Sequence, residues 1–470
     1  MSGCFKVALR LFTAFAVAIA GASGAPAVSQ VSALVGGTVI DLRSAGNRTG
    51  DIPNAVVVIR NGVITAVGPK SSLHIPRGAR VIDARGRYIV PGLIDGFASL
   101  RSQGFAKAFL YHGVTSVVAP AAGQADERRG ATLTNLSPAP HLLPLALMNG
   151  YSYKDDSDTS MTSMRLHQPR LSNAALEARV GALADQGVRL ILIHYNTWPD
   201  QTARIVAAAK RRGIGVIGEL GWTPYPDALR AGVQAFVHDQ RYMSELAPAP
   251  LKAVYADAPF DGAAIRPVIA VERTISPDDP IVTNYGAAIA RSHTALMPTL
   301  AIAAHLRSED LPNPWSDPAA ALIKPEELHD PIDRASGRAP RWLKQSPEQR
   351  ATNKAYIDNM DRIDRRFHSL GARYLAASGT SAFGVMPGQG LHLELARLQQ
   401  IGLTPREALA AATSNYAEFF GLKDIGVLGP GRRADILVLR TDPRRSVKAV
   451  DDIDMVILGG QVLDRESLLR

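Results

Sequence analysis

Short runs of apolar and β-branched residues occupy both ends of the chain. Residues 33–41 and 54–68 predict strands, and Asn61-Gly62 divides the second run into a hairpin because these residues tolerate positive φ at a tight turn. Residues 434–439 and 455–462 repeat the pattern near the C-terminus. We therefore expect strands from the two ends to pair into one small β-sandwich.

Between the two ends, apolar runs alternate with amphipathic stretches, which is typical of parallel βα units. Buried strands are predicted at residues 113–118, 190–194, 215–219 and 235–238. Helices are predicted at residues 202–212 and 405–414, the second begun by an N-cap at Thr404. Two polar, proline-rich stretches, 124–173 and 307–348, are too long for ordinary connections and are expected to lie over one face of the fold.

The N-terminus has the layout of a secretory signal peptide. Lys6 and Arg10 precede an apolar stretch at residues 11–21, and small residues suited to cleavage follow. We predict a signal peptide over residues 1–27 and a periplasmic or secreted protein, the alternative being an uncleaved N-terminal anchor. The only cysteine, Cys4, lies inside this segment, so thiolate chemistry is excluded from the exported chain.

Composition narrows the function classes further. Hydrophobic residues make up 46% of the chain, enough to bury a large core. The formal charge is +9, but the basic residues are scattered rather than gathered in a stripe, so we expect no nucleic-acid partner. No stretch after residue 27 is long and apolar enough to predict a transmembrane span.

Several motifs together resemble a known family. Residues 91–95 read Pro-Gly-Leu-Ile-Asp, residues 113–116 read Gly-Val-Thr-Ser, residues 231–233 read Ala-Gly-Val, and residues 426–439 carry Gly-Val-Leu-Gly-Pro-Gly-Arg-Arg-Ala-Asp-Ile-Leu-Val-Leu. The chain resembles the amidohydrolase superfamily, in its imidazolonepropionase- and prolidase-like branch. The resemblance implies an α/β fold: a (β/α)8 TIM barrel with a small composite β-sandwich formed by both termini.

This resemblance also implies a division of the chain. The signal peptide covers residues 1–27, and the first part of the β-sandwich covers residues 28–90. The barrel extends over residues 91–425. Residues 426–470 complete the sandwich. Active sites of such barrels lie at the C-terminal ends of the strands.

Members of the superfamily hold one or two divalent metals with a His-x-His pair after strand 1, a carboxylated lysine on strand 4, histidines on strands 5 and 6, and an aspartate on strand 8. In this chain, Phe97 and Ser99 occupy the positions of the His-x-His pair, and Leu192 occupies that of the lysine. Glu219 and His238 occupy the strand-5 and strand-6 positions, and Ser381 occupies that of the aspartate. Phe97 and Leu192 have no donor atom, and serine hydroxyls are poor zinc ligands. We therefore expect the binuclear site to be largely lost and no cofactor to be bound.

The remaining polar residues allow other sites. His194 lies two residues beyond Leu192, on the same strand face, and could converge with Glu219 and His238 at the barrel mouth. Two histidines and a glutamate could hold one zinc ion. Glu219 and His238 could instead act as a metal-free acid/base pair, or all three could line a metal-free pocket. We expect the substrate pocket to include Phe97, Ser99, Leu192, His194 and Ser381.

Three functions remain open at this level. The first is an exported pseudoenzyme that has lost the metal reaction and acts as a binding or partner subunit, and this is the interpretation we favour. The second is a hydrolase of amide or other C–N bonds with a reduced one-metal site. The third is a metal-free enzyme that uses the same pocket. The partners expected are a small-molecule or peptide-like ligand and a second subunit, either the same chain or an active paralogue.

Overall fold

The computed structural model describes residues 31–47, 50–122, 136–150, 170–258, 261–307, 311–328 and 331–470. The predicted signal peptide and most of the stretch at 124–173 lie outside these residues. No helix in the described ranges is long and apolar enough to cross a membrane.

The N-terminal part begins with six strands: β1 (Val31–Val35), β2 (Thr38–Val39), β3 (Ala55–Arg60), β4 (Val63–Pro69), β5 (Arg80–Asp83) and β6 (Tyr88–Pro91). Four of them form a sheet of order β4-β3-β1-β5. The predicted hairpin joins β3 to β4, with φ of 50° at Asn61 and 78° at Gly62.

Eight further strands form the barrel: β7 (Leu93–Asp95), β8 (Val114–Ala122), β9 (His141–Met148), β10 (Leu190–Ile193), β11 (Gly215–Gly218), β12 (Ala235–Val237), β13 (Ala295–Met297) and β14 (Arg373–Tyr374). Each pairs in parallel with the next, and a parallel bridge between Ala98 and Thr380 joins the end of the series to its start. This curled parallel sheet has the (β/α)8 architecture that the sequence predicts, and its interior is packed with apolar side chains that include Leu190, Leu192 and Val237.

The C-terminal strands are β15 (Ile436–Leu439), β16 (Ile453–Leu458) and β17 (Gln461–Leu463). They join β6 and β2 in a five-stranded sheet of order β17-β16-β15-β6-β2. The two ends of the chain therefore pair, but only β2 and β6 take part from the N-terminal side. A shared apolar core, which includes Leu34, Ile59, Ile436 and Ile457, packs the two sheets together.

Fifteen α-helices lie in the described ranges: α1 (Gln103–Tyr111), α2 (Asn173–Asp185), α3 (Pro199–Arg212), α4 (Tyr225–Ala231), α5 (Asp239–Tyr242), α6 (Ala249–Asp257), α7 (Gly262–Thr274), α8 (Pro280–Ser292), α9 (Leu300–Arg307), α10 (Pro340–Leu343), α11 (Pro347–Ser369), α12 (Gln389–Gln400), α13 (Pro405–Ala411), α14 (Ser414–Phe419) and α15 (Arg465–Leu468). Single 3-10 turns span Met243–Leu246, Pro314–Ser316, Pro318–Leu322, Pro325–Glu327, Ala382–Gly384 and Val447–Asp451.

Two helix boundaries differ from the prediction. α3 begins at Pro199, three residues earlier than expected, because proline is suited to the first helical turn. The helix predicted at 405–414 ends at Ala411, because Thr413 leaves the helical conformation with φ of −145° and ψ of −94°. The predicted N-cap is present: the Thr404 hydroxyl accepts from the Glu407 amide at 3.2 Å.

Candidate functional site

Three polar side chains meet where consecutive barrel strands end. His194 follows β10, Glu219 follows β11 and His238 follows β12. The Nε2 atoms of His194 and His238 each lie 3.8 Å from a different carboxylate oxygen of Glu219. The strand ends thus bring together the three residues that the sequence singled out.

Arg241, on α5, supplies a cation that sequence reasoning missed. Its Nε lies 3.7 Å from Oε1 of Glu219, and its Nη1 donates a hydrogen bond of 2.6 Å to the hydroxyl of Tyr255. The guanidinium also stands over the ring of Tyr195, 4.9 Å from its centroid. Only 12% of the side chain is exposed, so the charge is held inside the site.

The charges of this cluster follow from its surroundings. Burial by itself raises the pKa of Glu219, but the neighbouring His238, His194 and Arg241 and a hydrogen bond from Tyr195 outweigh burial and hold that pKa below its ordinary value. Burial lowers the pKa of His238, and together with the charge of Arg241 it outweighs the opposite effect of the Glu219 carboxylate. At neutral pH the site therefore contains an ionised Glu219, a neutral His238 and a charged Arg241.

A hydrogen bond to Thr299 orients the imidazole of His238. Nδ1 of His238 lies 2.9 Å from the Thr299 hydroxyl oxygen, which also lies 2.6 Å from the carbonyl oxygen of Pro298. The other ring nitrogen, Nε2, faces Glu219 and lies 3.8 Å from its Oε1.

The backbone at this point is itself unusual. His238 and Thr299 have φ of 65° and 57°, in a region that residues other than glycine rarely adopt. The bond between their side chains joins the end of β12 to the residue that precedes α9. The imidazole is consequently held in one orientation by both its backbone and its partner.

A cavity of about 660 Å³ opens beside the cluster. Its polar lining is Tyr195, Glu219, His238, Gln240, Arg241, Tyr255, Glu272, Arg341 and Tyr356, and its apolar lining is Ile265, Val268, Ile269, Ile302, Ala382 and Phe383. A volume of this size and a lining that mixes apolar walls with a few polar groups are typical of small-molecule sites.

Glu272, on α7, forms part of the wall and is almost completely buried. Burial raises the pKa of its carboxyl group to about 8, although a hydrogen bond from Tyr356 and the charge of Arg241 act in the opposite direction. Oε1 of Glu272 has no hydrogen-bond partner within the described ranges. Glu272 is therefore a neutral acid at pH 7.

None of the residues predicted for the substrate pocket is among those that line this cavity. The rings of Phe97 and His238 make a T-shaped contact with centroids 5.1 Å apart, and Leu192 is 4% exposed within the barrel core. Ser381 is buried, its Oγ without a partner in the described chain, and directly precedes the lining residues at 382–383. Ser99 is half-buried after β7.

The donor set does not fit the metal centre of the superfamily that the sequence resembles. Four of its positions carry side chains with no donor or only a neutral hydroxyl: Phe97, Ser99, Leu192 and Ser381. Glu219 already faces the guanidinium of Arg241. Across the described ranges, no group of three or more His, Cys, Asp or Glu side chains is arranged to hold a metal ion.

Comparison with known proteins agrees with the fold. A sequence profile of the Amidohydrolase family matches residues 370–463. Imidazolonepropionase of Symbiobacterium thermophilum is 25% identical, over 87% of this chain and 90% of that protein. Adenine deaminase 3 of Rhizobium meliloti is 24% identical, over 89% of this chain and 56% of that protein, so the chain spans about half the length of that relative.

Solved structures are similar over nearly the whole chain. Bottromycin amidohydrolase has a TM-score of 0.67 at 20% identity, with coverage of 93% of this chain and 88% of that one. Residues 370–463 thus match the Amidohydrolase family, and the fold of the whole chain is similar to that of a solved amidohydrolase. The A. niger ochratoxinase, with a TM-score of 0.59 at 15% identity and coverage of 92% and 95%, has a similar fold.

Proposed function

We propose that this member of the amidohydrolase superfamily is an exported pseudoenzyme that binds a small molecule without a metal ion. The observation that carries the proposal is the position of Arg241, whose guanidinium faces the carboxylate at the strand-5 metal-ligand position. An arginine is charged at every physiological pH, so it neutralises Glu219 permanently. A divalent cation at the same place would be repelled by it.

The cavity supports the binding part of the proposal. Its apolar wall offers buried area for the body of a ligand, while Tyr255, Glu272 and His238 offer groups that fix its orientation. The superfamily's hydrolysis also needs a carboxylate on strand 8 to accept a proton, and this position is Ser381. Because the cavity is present and the strand-8 carboxylate is not, we expect the protein to bind a ligand without converting it.

The decisive measurement is elemental analysis of the mature protein, purified from cells supplied with zinc and manganese. We expect a metal content far below one ion per chain, and the same low metal content in His238→Ala. Stoichiometric zinc in the wild type that His238→Ala removes would overturn the proposal and support the alternative, a hydrolase with one metal at His194, Glu219 and His238. The convergence of these three residues is the observation that favours that alternative.

The export part of the proposal rests on residues 1–27 and has its own test. If they form a signal peptide, the mature chain should begin between Ser23 and Val28. N-terminal sequencing of the envelope fraction measures this directly. An intact Met1 on membrane-associated protein would favour the anchor.

A further inference from the structure

The cavity beside the cluster has two apolar walls from different parts of the chain. One wall is a single face of α7, because Ile265, Val268 and Ile269 are spaced three and four residues apart. The other wall contains Ile302 on α9 and Phe383, which pack in one hydrophobic cluster. Such walls gain contact energy from an apolar surface, so they favour a ligand with an apolar body.

The charged groups of the lining lie at different depths. Glu219 and Glu272 are buried, and the side chain of Arg241 is nearly so. Arg341, on the short helix α10, lines the same cavity but is exposed to solvent. The cavity therefore has an inner end that holds both carboxyl groups and an outer end that holds a guanidinium.

The guanidinium of Arg341 is held against an apolar wall. Its central carbon lies over the ring of Phe383, 5.2 Å from the ring centroid. The five N–H donors of an arginine lie in the plane of the group, so Arg341 can bond to a ligand oxygen while it retains other partners. The planar fork of donors also matches the two oxygens of a carboxylate.

The difference in depth determines where an anionic ligand group can lie. At the inner end it would approach the carboxyl group of Glu219, where little water screens a repulsion. At the outer end it meets the charge of Arg341 and keeps part of its hydration, so the cost of desolvation is small. Arg341 is charged at every physiological pH, so this attraction is present whatever the protonation state of the buried groups.

A cationic ligand group finds no such place. At the outer end Arg341 repels it. At the inner end it must lose its water, and Nε of Arg241 already lies 3.7 Å from Oε1 of Glu219. The other inner carboxyl group, Glu272, accepts a hydrogen bond from Tyr356 and has a pKa raised to about 8 by burial, so it attracts a cation only weakly at neutral pH.

We infer, on the basis of the proposed binding function, that the ligand is an organic monoanion such as a carboxylate, whose charged group bonds to Arg341 at the outer end of the cavity and whose apolar body lies against α7 and Phe383. One exposed guanidinium balances one negative charge, so a monoanion fits better than a dianion. Arg341 belongs to the proline-rich stretch 307–348, so the residue that selects the ligand lies outside the barrel strands.

Three probes with one apolar body test the inference: 4-phenylbutanoate, 4-phenylbutanamide and 4-phenylbutylamine. Their affinities for the mature full chain are measured by calorimetry at neutral pH. We expect the carboxylate to bind about fivefold more tightly than the amide, since a partly exposed ion pair corresponds to roughly that factor, and the amine to bind most weakly. Raising the salt concentration to about 0.5 M should reduce the preference, because salt screens an exposed charge.

Variants of two arginines from the same stretch identify the group responsible. In Arg341→Gln, the carboxylate should bind no more tightly than the amide, while an unchanged affinity for the amide shows that the cavity is intact. Arg341→Lys retains the charge and should keep part of the preference. Arg334→Gln is the matched control: Arg334 is also exposed and lies over an aromatic ring, that of Trp315, but does not line the cavity. It should leave the order of affinities unchanged.

A variant of the apolar wall separates the body of the ligand from its charge. Ile269→Ala removes part of the α7 face, so it should weaken the binding of carboxylate and amide by a similar factor and leave their ratio unchanged. Unchanged affinities in this variant would show that the ligand does not lie against α7, contrary to the inference.

The other results that would overturn the inference are equally definite. They are equal affinities of the wild type for carboxylate and amide, tightest binding of the amine, a carboxylate preference that persists in Arg341→Gln, or no binding of the carboxylate at millimolar concentration. Binding of the amide or the amine without a carboxylate preference would leave the proposed binding function standing. The metal content is measured separately, so failure of the ligand class is distinct from failure of the metal-free proposal.

Discussion

Nε of Arg241 lies 3.7 Å from Oε1 of Glu219, at the end of the fifth barrel strand, where the superfamily carries a metal-ligand histidine. The pair joins a carboxylate on a strand end to an arginine from the short helix after the sixth strand. In the proposed function, this arginine balances the charge of the carboxylate without an added ion.

The pair should be strongly coupled in stability. Arg241→Met leaves an ionised, nearly buried Glu219, and we expect a loss of about 3–5 kcal/mol in the free energy of unfolding. Glu219→Gln in the same chain should recover most of that loss, because no charge then remains unpaired. Urea unfolding of the two single variants and the double variant measures the coupling; simple additivity would show that the pair does not interact. Arg230→Met, at an exposed ion pair, is the control and should change stability by less than about 1 kcal/mol.

The protonated Glu272 should make stability fall as the pH rises. In the unfolded chain this group ionises near its ordinary pKa of 4.5, whereas burial raises the pKa in the folded protein to about 8. Between these values the unfolded state binds fewer protons, so the free energy of unfolding decreases with pH and levels off above about 8. Glu272→Gln removes this contribution.

Urea midpoints measured from about pH 5 to about pH 8 should therefore decline less steeply in Glu272→Gln than in the wild type. The comparison isolates one group, because the neighbouring groups Asp239, Tyr255, Tyr356 and Arg241 are present in both chains. Parallel curves would show that Glu272 is already ionised in the folded protein.

The backbone at His238 predicts an inverted order of two small substitutions. With φ of 65°, an alanine is strained where a glycine is not, so His238→Gly should be more stable than His238→Ala by about 1 kcal/mol. Both variants lose the same imidazole, so the difference reports the backbone alone. At the exposed Lys210 in α3, the alanine variant should instead be the more stable of the two, by about 1 kcal/mol. If thermal unfolding showed His238→Ala to be more stable than His238→Gly, the backbone at this position would not be strained.

The superfamily's metal site should be recoverable only after the guanidinium is removed. A chain with Phe97→His, Ser99→His, Leu192→Lys, Glu219→His and Ser381→Asp restores the expected donors beside His238. We expect it to take up little zinc while Arg241 remains, and to take up more when Arg241→Ser is added. Cobalt spectra and elemental analysis measure the uptake. Equal zinc uptake with and without Arg241 would contradict the view that the positive charge of the arginine excludes a metal ion from this place.

Much of the scaffold was predictable because its signals are local. The alternation of apolar strands and amphipathic helices indicated parallel βα units, and the hairpin at Asn61-Gly62 follows from residues that tolerate positive φ. The strand ends also gave the convergence of His194, Glu219 and His238, since parallel strands of one barrel end at the same face.

What only the tertiary structure decided was the chemistry around that convergence. Arg241, Tyr255 and Glu272 come from three successive helices after the sixth strand, and no sequence pattern links them to Glu219. Strand periodicity is a property of neighbouring residues. The contact of Arg241 with Glu219, the hydrogen bond between His238 and Thr299 and the raised pKa of Glu272 depend instead on burial and on partners distant in the chain. The sequence alone thus determined which residues meet at the barrel mouth, and only the packed fold determined that they meet as a neutralised carboxylate beside a neutral histidine.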